Sequence, residues 1–190
     1  GLGAPGYGFM GGIANYPGGG GYGTSLKDDY RKYYGATIGF SGRGEMIPNA
    51  DSYCEIDPTT VDQWGIPVLR FHWKWTDHEY NQSKHMQETF RALIHEMGGE
   101  VWSPMPTKEQ GYGISSGGSI IHELGGVRMG NDPSRSVLNG HSQAHDVKNL
   151  FVTDGGPFVS QADKNPTWTI LALAWRTCDY IIDQKKQGAL

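Results

Sequence analysis

The residues of this chain best suited to chemistry are a histidine in a tight turn and a short strand-turn-helix unit further along. His122 stands in the glycine-rich stretch HELGGVRMG, and later come NLFVTDGGPF and NPTWT. Imidazole changes protonation near neutral pH, so in its neutral form it can accept a proton under ordinary conditions. Ile120 and Ile121 before His122 suggest a strand end, and Gly125 and Gly126 after it place the ring where the chain bends sharply. The pairing reads as a base beside the amide-lined mouth of a helix.

Asn165 is a good N-cap and Pro166 suits the first helical position, where no N–H is needed. Ile170, Leu171, Ala174, Cys178 and Ile181 then recur at helical spacing. Asn165, Pro166 and Thr167 are therefore expected at a helix N-terminus. Unpaired N–H groups and the positive end of the helix dipole favour negative charge there. A phosphate would suit it, as would a reduced flavin, which carries negative charge on its N1 and C2-carbonyl edge once hydride reaches N5. An ordinary capped helix is the plain alternative. Asn149 to Thr153 reads as a strand running into Asp154, Gly155, Gly156 and Pro157, a turn whose glycines let backbone approach a ligand.

Taken together, HELGGVRMG, DPSRSVLN, HDVKNLFVTDGGPF and NPTWTILALAWR resemble the C-terminal signature of the glucose-methanol-choline (GMC) flavoprotein oxidoreductases. The nearest branch is that of the gluconate, sorbitol and fructose dehydrogenases. The ordered motifs run from about Ile120 to Ile182, and DQWGIPVLRFHWKWTDHE resembles the same branch more loosely. The resemblance implies an FAD enzyme that oxidises the CH–OH group of an alcohol, polyol or sugar (acid). His122 matches the histidine that takes the hydroxyl proton as hydride goes to flavin N5. Asn165 matches its partner position, and Asp154, Gly155, Asn165, Pro166 and Thr167 match positions that approach FAD. The chemistry of the residues fits: a neutral histidine can accept the proton in step with hydride loss, and a carboxamide N–H can donate to the substrate oxygen.

One part of the family pattern is missing. Its N-terminal Rossmann unit places GxGxxG between a strand and a helix. Gly1-Leu2-Gly3-Ala4-Pro5-Gly6 has the letters without the strand, and Pro5 stands where a helix should run. The expectation is a C-terminal catalytic portion whose FAD-binding portion lies outside these residues. Alone, such a chain should bind FAD weakly and turn nothing over. Its partners would be that portion, a small alcohol or sugar, and an electron-acceptor subunit.

The elements needed to position this chemistry can be read along the chain. Residues 1–24 are a glycine-rich irregular segment, costly to order, and residues 25–190 form the substrate-binding and C-terminal catalytic domain. A short helix is expected at Ser25–Tyr34 and strands at Ala36–Arg43, Ser52–Ile56 and Val68–Trp75. The last of these alternates Leu69, Phe71, Trp73 and Trp75 with Arg70, His72 and Lys74. Thr76 and Glu79 spell a capping box, Met86, Phe90, Leu93, Ile94 and Met97 an apolar stripe, and Gly98-Gly99 a stop. The fold class is α+β: a mainly antiparallel sheet of about five or six strands with helices on one face. A terminal strand-helix unit would join the absent FAD-binding domain.

Other chemistries find less support. No basic stripe suggests nucleic acid, and no apolar run is long enough to span a membrane. His141 and His145 have i, i+4 spacing but lie in a loop without an evident third ligand, and HExxH is absent, so no metal is expected. Ser116 lacks a GxSxG elbow. Cys54 and Cys178 read as two separate buried thiols. The rival class is an aromatic-rich carbohydrate-binding or interaction module using Trp64, Trp73, Trp75, Trp102, Tyr112 and Trp168.

Overall fold

The computed structural model describes residues 22–33, 35–36, 38–119, 121–161 and 164–190. Most of the glycine-rich opening therefore lies outside the described residues. Contacts divide the chain into two compact units, Gly1–Ile114 and Ser115–Leu190.

In the first unit, Thr24–Tyr33 forms α1, close to the expected span. Tyr53–Val61 (β1) and Pro67–His72 (β2) pair as an antiparallel hairpin. The hairpin turn is organised by Asp62, whose Oδ1 accepts from Trp64 N at 2.8 Å and Ile66 N at 3.0 Å, while Gly65 takes φ +80°. The pairing is irregular between Ile56 and Val61, and Asp57 fills that gap. Its side chain accepts from Thr59 N, Thr60 N and Thr59 Oγ1 at 2.8–2.9 Å and from Arg70 Nη2 at 2.8 Å.

The amides of Thr59 and Thr60, followed by the Thr59 hydroxyl and Arg70, hold the Asp57 carboxyl well below the usual carboxylate range, against the opposing effect of burial. A carboxylate whose pKa is depressed on folding adds stability above its unfolded pKa, near 4. That contribution is lost as pH falls further and the native group finally protonates. Amide exchange at Thr59 and Thr60 is therefore expected to be pH-independent in its protection down to about pH 4 and to lose protection below it. In Asp57→Asn this acid-dependent step should disappear. An acid profile unchanged by the substitution would contradict the assignment.

Asp77–Glu96 is α2, opened by the capping box read in the sequence and closed at Gly98 with φ +74°. Gly98 N bonds His95 O and Gly99 N bonds Ile94 O, the paired bonds of a Schellman stop. Glu79, only 2 % exposed, also receives Ile47 N at 2.8 Å, which ties the preceding loop to the helix start. Burial alone would raise its carboxyl; hydrogen bonds from Thr76 and Ile47 outweigh this and lower it.

Four expectations about this unit are corrected. Ala36–Arg43 forms no strand in its described residues, and among the described residues the sheet has two strands rather than five or six. The local reason is glycine: a Cβ at Gly42 would lie 2.2 Å from Met86 Sδ and one at Gly44 1.6 Å from Gln82 Oε1, so this stretch lies against α2. Nor does α2 lie on the hairpin. It packs on the turn Gly111–Gly113, with Ser83 Oγ donating to Tyr112 O at 3.0 Å. β2 also stops at His72, short of the expected Trp75. The α+β class stands.

The second unit is built on turns around Leu138, Ala144, Pro157 and Phe158, all buried, and on the helix Thr167–Lys186 (α3). The strand expected at Asn149–Thr153 is reduced to one bridge, Phe151 to Gln143. Ile170, Ala174 and Ile181 are half-buried and Thr177 is fully buried, whereas Trp168, Leu171, Trp175, Cys178 and Ile182 form an exposed seam with steps of three and four residues. Trp168 is 84 % and Trp175 74 % exposed. Cys54 and Cys178 are both free and exposed, not buried as expected, because each sits on an outward apolar face. No helix among the described residues is long and apolar enough to cross a membrane.

Candidate active site

His122 has φ +82°, a left-handed conformation that L side chains rarely adopt. Such strain persists only where the surroundings enforce it, and it concentrates at functional sites. Here the enforcement comes from the next residues. Gly125 N donates to Gly155 O at 3.1 Å, Val127 N to Gly156 O at 3.1 Å and Met129 N to Pro157 O at 2.9 Å. These bonds zip the HELGGVRM segment onto the DGGPF turn. The His122 ring is half-buried, and among the described residues no hydrogen bond engages it.

Gly155 joins three elements. A Cβ there would lie 2.2 Å from Leu124 Cδ2 and 3.6 Å from Ile170 Cδ1 of the first turn of α3, and one at Gly156 would lie 2.7 Å from Val127 Cγ2. The space these glycines leave is thus occupied by Leu124 and Val127. The turn is expected to let backbone approach a ligand, and the filling of its Cβ side by Leu124 and Val127 leaves that backbone approach as the remaining route. Asp154 is exposed and its Oδ1 accepts from Gly156 N at 2.7 Å, closing the turn on itself.

The helix begins one residue later than expected. Pro166, not Asn165, occupies the cap position, without a side-chain hydrogen bond, and the first intrahelical bond is Ile170 N to Pro166 O at 2.9 Å. Proline has no side-chain acceptor, and among the described residues the Thr167, Trp168 and Thr169 N–H groups have no capping partner. Asn165 and Thr167 are exposed and Pro166 is buried. The Asn165 carboxamide, like the His122 ring, has no hydrogen-bond partner among the described residues. At Gly155 the segment that follows His122, through Leu124, meets the first turn of α3, through Ile170.

The other half of α3 is held by the loop of His141 and His145, weighed in the sequence only as a metal site. Arg176 Nη2 donates to Gly140 O at 2.5 Å, Thr177 Oγ1 to His141 O at 3.2 Å, and Tyr180 OH to Gln143 Oε1 at 3.2 Å; the His141 ring stacks on Tyr180 at 4.2 Å. His145 Nε2 instead lies 3.1 Å from Ser136 Oγ and 3.2 Å from Gly130 O. The two histidines thus serve separate structural contacts. Among the described residues no three His, Cys, Asp or Glu side chains gather as a metal-binding group. The available signal was the NGHSQ turn itself, rich in groups that bond backbone.

Residues 48–174 match the C-terminal model of the GMC oxidoreductases. The chain belongs to the GMC oxidoreductase family. It is 31 % identical over 164 residues to a 2-methyl-1,2-propanediol dehydrogenase of Mycolicibacterium austroafricanum, covering 84 % of this chain and 28 % of that protein. It is 26 % identical over 174 residues to the gluconate 2-dehydrogenase flavoprotein of Pantoea cypripedii (89 % and 28 %). With the fructose dehydrogenase large subunit of Gluconobacter japonicus, identity is 24 % over 166 residues (87 % and 29 %). The chain spans less than a third of the length of these GMC relatives. The family match covers both the His122 turn and the start of α3.

Proposed function

We propose that this chain is the C-terminal catalytic portion of an FAD-dependent oxidoreductase that oxidises the CH–OH group of an alcohol, polyol or sugar. The observation that supports the proposal is the left-handed His122, whose ring has no hydrogen-bond partner among the described residues, in a stretch zipped to the DGGPF segment, which packs on Ile170 in the first turn of α3. Residues 25–190 serve as the substrate-binding and catalytic domain, with the glycine-rich 1–24 segment outside it.

The residues fit the cofactor. An uncapped helix start attracts the negative charge that accumulates when a hydride acceptor is reduced. Asp154, Gly155, Asn165, Pro166 and Thr167 would hold it. Since the Cβ side of Gly155 is filled by Leu124, contact there comes from its backbone. FAD, when bound, supplies the hydride acceptor. His122 takes the hydroxyl proton on a ring nitrogen, Asn165 donates its amide N–H to the substrate oxygen, and the N–H groups of Thr167 to Thr169 stabilise negative charge at the helix mouth. Gluconate and fructose dehydrogenase relatives bear flavoprotein or large-subunit names, which supports an electron-acceptor subunit as partner.

The exposed Trp168, Leu171, Trp175 and Ile182 seam is the face of α3 that the FAD-binding portion covers. The 190-residue chain alone is then inactive and binds FAD weakly. Tight stoichiometric flavin in the purified chain would count against this. In the assembled enzyme, anaerobic addition of a substrate alcohol is expected to bleach the flavin absorbance, more slowly when the carbinol C–H is deuterated. If a panel of diols, sugars and sugar acids leaves the flavin oxidised, the reading fails.

A further inference from the structure

Hydrogen bonds do not hold His122 in place. Among the described residues none engages residues 121–124, from backbone or side chain; the first along the segment is Gly125 N to Gly155 O at 3.1 Å. A residue at φ +82° does not stay there unaided, so packing close by must supply part of the hold. Glu123 is exposed and Leu124 half-buried, which leaves the Leu124 side chain as the anchor nearest to His122.

Leu124 is built in as a peg. Its Cδ2 lies 2.2 Å from the point that a Gly155 Cβ would occupy, and Ile170 Cδ1, in the first turn of α3, lies 3.6 Å from the same point. The leucine thus stands in the notch left by the glycine, beside the helix. Val127 fills the neighbouring notch at Gly156, but the other side chains bordering that notch are Val152 and Asp154, which belong to the turn and its approach. Of the two pegs, Leu124 is the one whose notch borders α3. All of these residues lie in the second unit.

We infer that Leu124 is a positioning residue, which through Gly155 and Ile170 fixes the His122 backbone relative to the first turn of α3. The inference rests on the alcohol-oxidising reading and adds a residue to it. A base at position 122 and donors at the helix start serve one substrate oxygen only in one geometry, and a misplacement of about 1 Å at a reacting centre costs about 10²-fold in rate. The length of the Leu124 side chain therefore governs the rate of C–H oxidation, although Leu124 touches neither substrate nor flavin.

Two measurements test this. In the assembled, flavin-loaded enzyme, Leu124→Ala is expected to slow anaerobic bleaching of the flavin at saturating alcohol by about 10- to 100-fold, with FAD content unchanged and the half-saturating alcohol concentration within about threefold. Leu124→Met, which conserves volume, should stay within about threefold of the wild-type rate. So should Val127→Ala, which empties a notch that does not border α3. The second measurement is hydrogen exchange in the 190-residue chain, which needs no turnover. Gly155→Ala drives its Cβ into Leu124 and should cut protection of the Gly125 and Val127 amides about tenfold or more. In a Leu124→Ala background the same change should cut it less than about threefold, because the notch has been vacated. Equal losses in the two backgrounds overturn the inference, as does a Leu124→Ala rate near that of the wild type, a Leu124→Met as slow as Leu124→Ala, or a Val127→Ala slowed as much. If no alcohol bleaches the wild-type flavin, the oxidoreductase reading falls and the rate claim with it, whereas normal bleaching with an additive exchange cycle removes the peg alone.

Discussion

Replacing His122 with asparagine is expected to lower turnover of the assembled, flavin-loaded enzyme by about 10²- to 10⁴-fold, the range for removing a general base, with FAD content unchanged. Asparagine is the informative substitution because of the backbone. His122 sits at φ +82°, and asparagine tolerates left-handed geometry better than most residues. It therefore removes the imidazole without adding strain. His122→Ala removes the same ring but keeps a Cβ residue with no local compensation for that φ, so its activity loss would mix chemistry with a shifted turn. The loss in His122→Asn should fall on kcat more than on KM, since the proton is accepted only as the C–H bond breaks. Its rate should not recover at higher pH with a substrate of ordinary alcohol acidity. A variant retaining more than about a tenth of wild-type kcat would remove His122 from the role of base. An aromatic carbohydrate-binding module would show the opposite pattern, indifferent at His122 and sensitive at exposed Trp64.

Gly125→Ala is expected to destabilise the second unit by about 2–3 kcal/mol, from a left-handed residue given a side chain plus a backbone clash. Gly125 has φ +85°, and its Cβ would lie 3.0 Å from Phe158 O, a backbone atom that cannot rotate away. The measurement is hydrogen exchange at Val127 and Met129, whose amides bond Gly156 O and Pro157 O. Their protection reports the zipper locally, whereas global unfolding would average two units. Gly126→Ala is the neighbouring control. No atom lies within 4 Å of its added Cβ and its φ is outside the left-handed range, so it should change stability by less than about 0.5 kcal/mol. Equal losses at the two positions would show that the clash at Phe158 does not govern the turn. Because the zipper also enforces the His122 conformation, Gly125→Ala should reduce turnover in the assembled enzyme along with stability.

Local signals carried a definite part of this description. The capping box at Thr76 and Glu79 opens α2 where it was read, and Gly98 closes it, because caps and stops are satisfied within one turn of chain. The apolar repeat after Pro166 becomes α3, and the ordered motifs from HELGGVRMG to NPTWT placed the chain in its family. The sheet was less legible. Alternation in Leu69, Phe71 and their neighbours suits any strand, but pairing depends on a partner, and Ala36–Arg43 found α2 instead because Gly42 and Gly44 permit close backbone approach.

The amino-acid sequence by itself determined which residues could do chemistry, the helices that carry some of them, and the family to which they belong, since composition, spacing and capping act over a few residues. Tertiary structure alone decided that Leu124 and Ile170 meet across Gly155, that His122 is held at positive φ, and that the NGHSQ loop grips α3 through Arg176 and Tyr180. Those outcomes depend on hydrogen bonds and side-chain packing between segments about thirty or more residues apart, contacts whose loop-closure entropy and geometry no local pattern encodes.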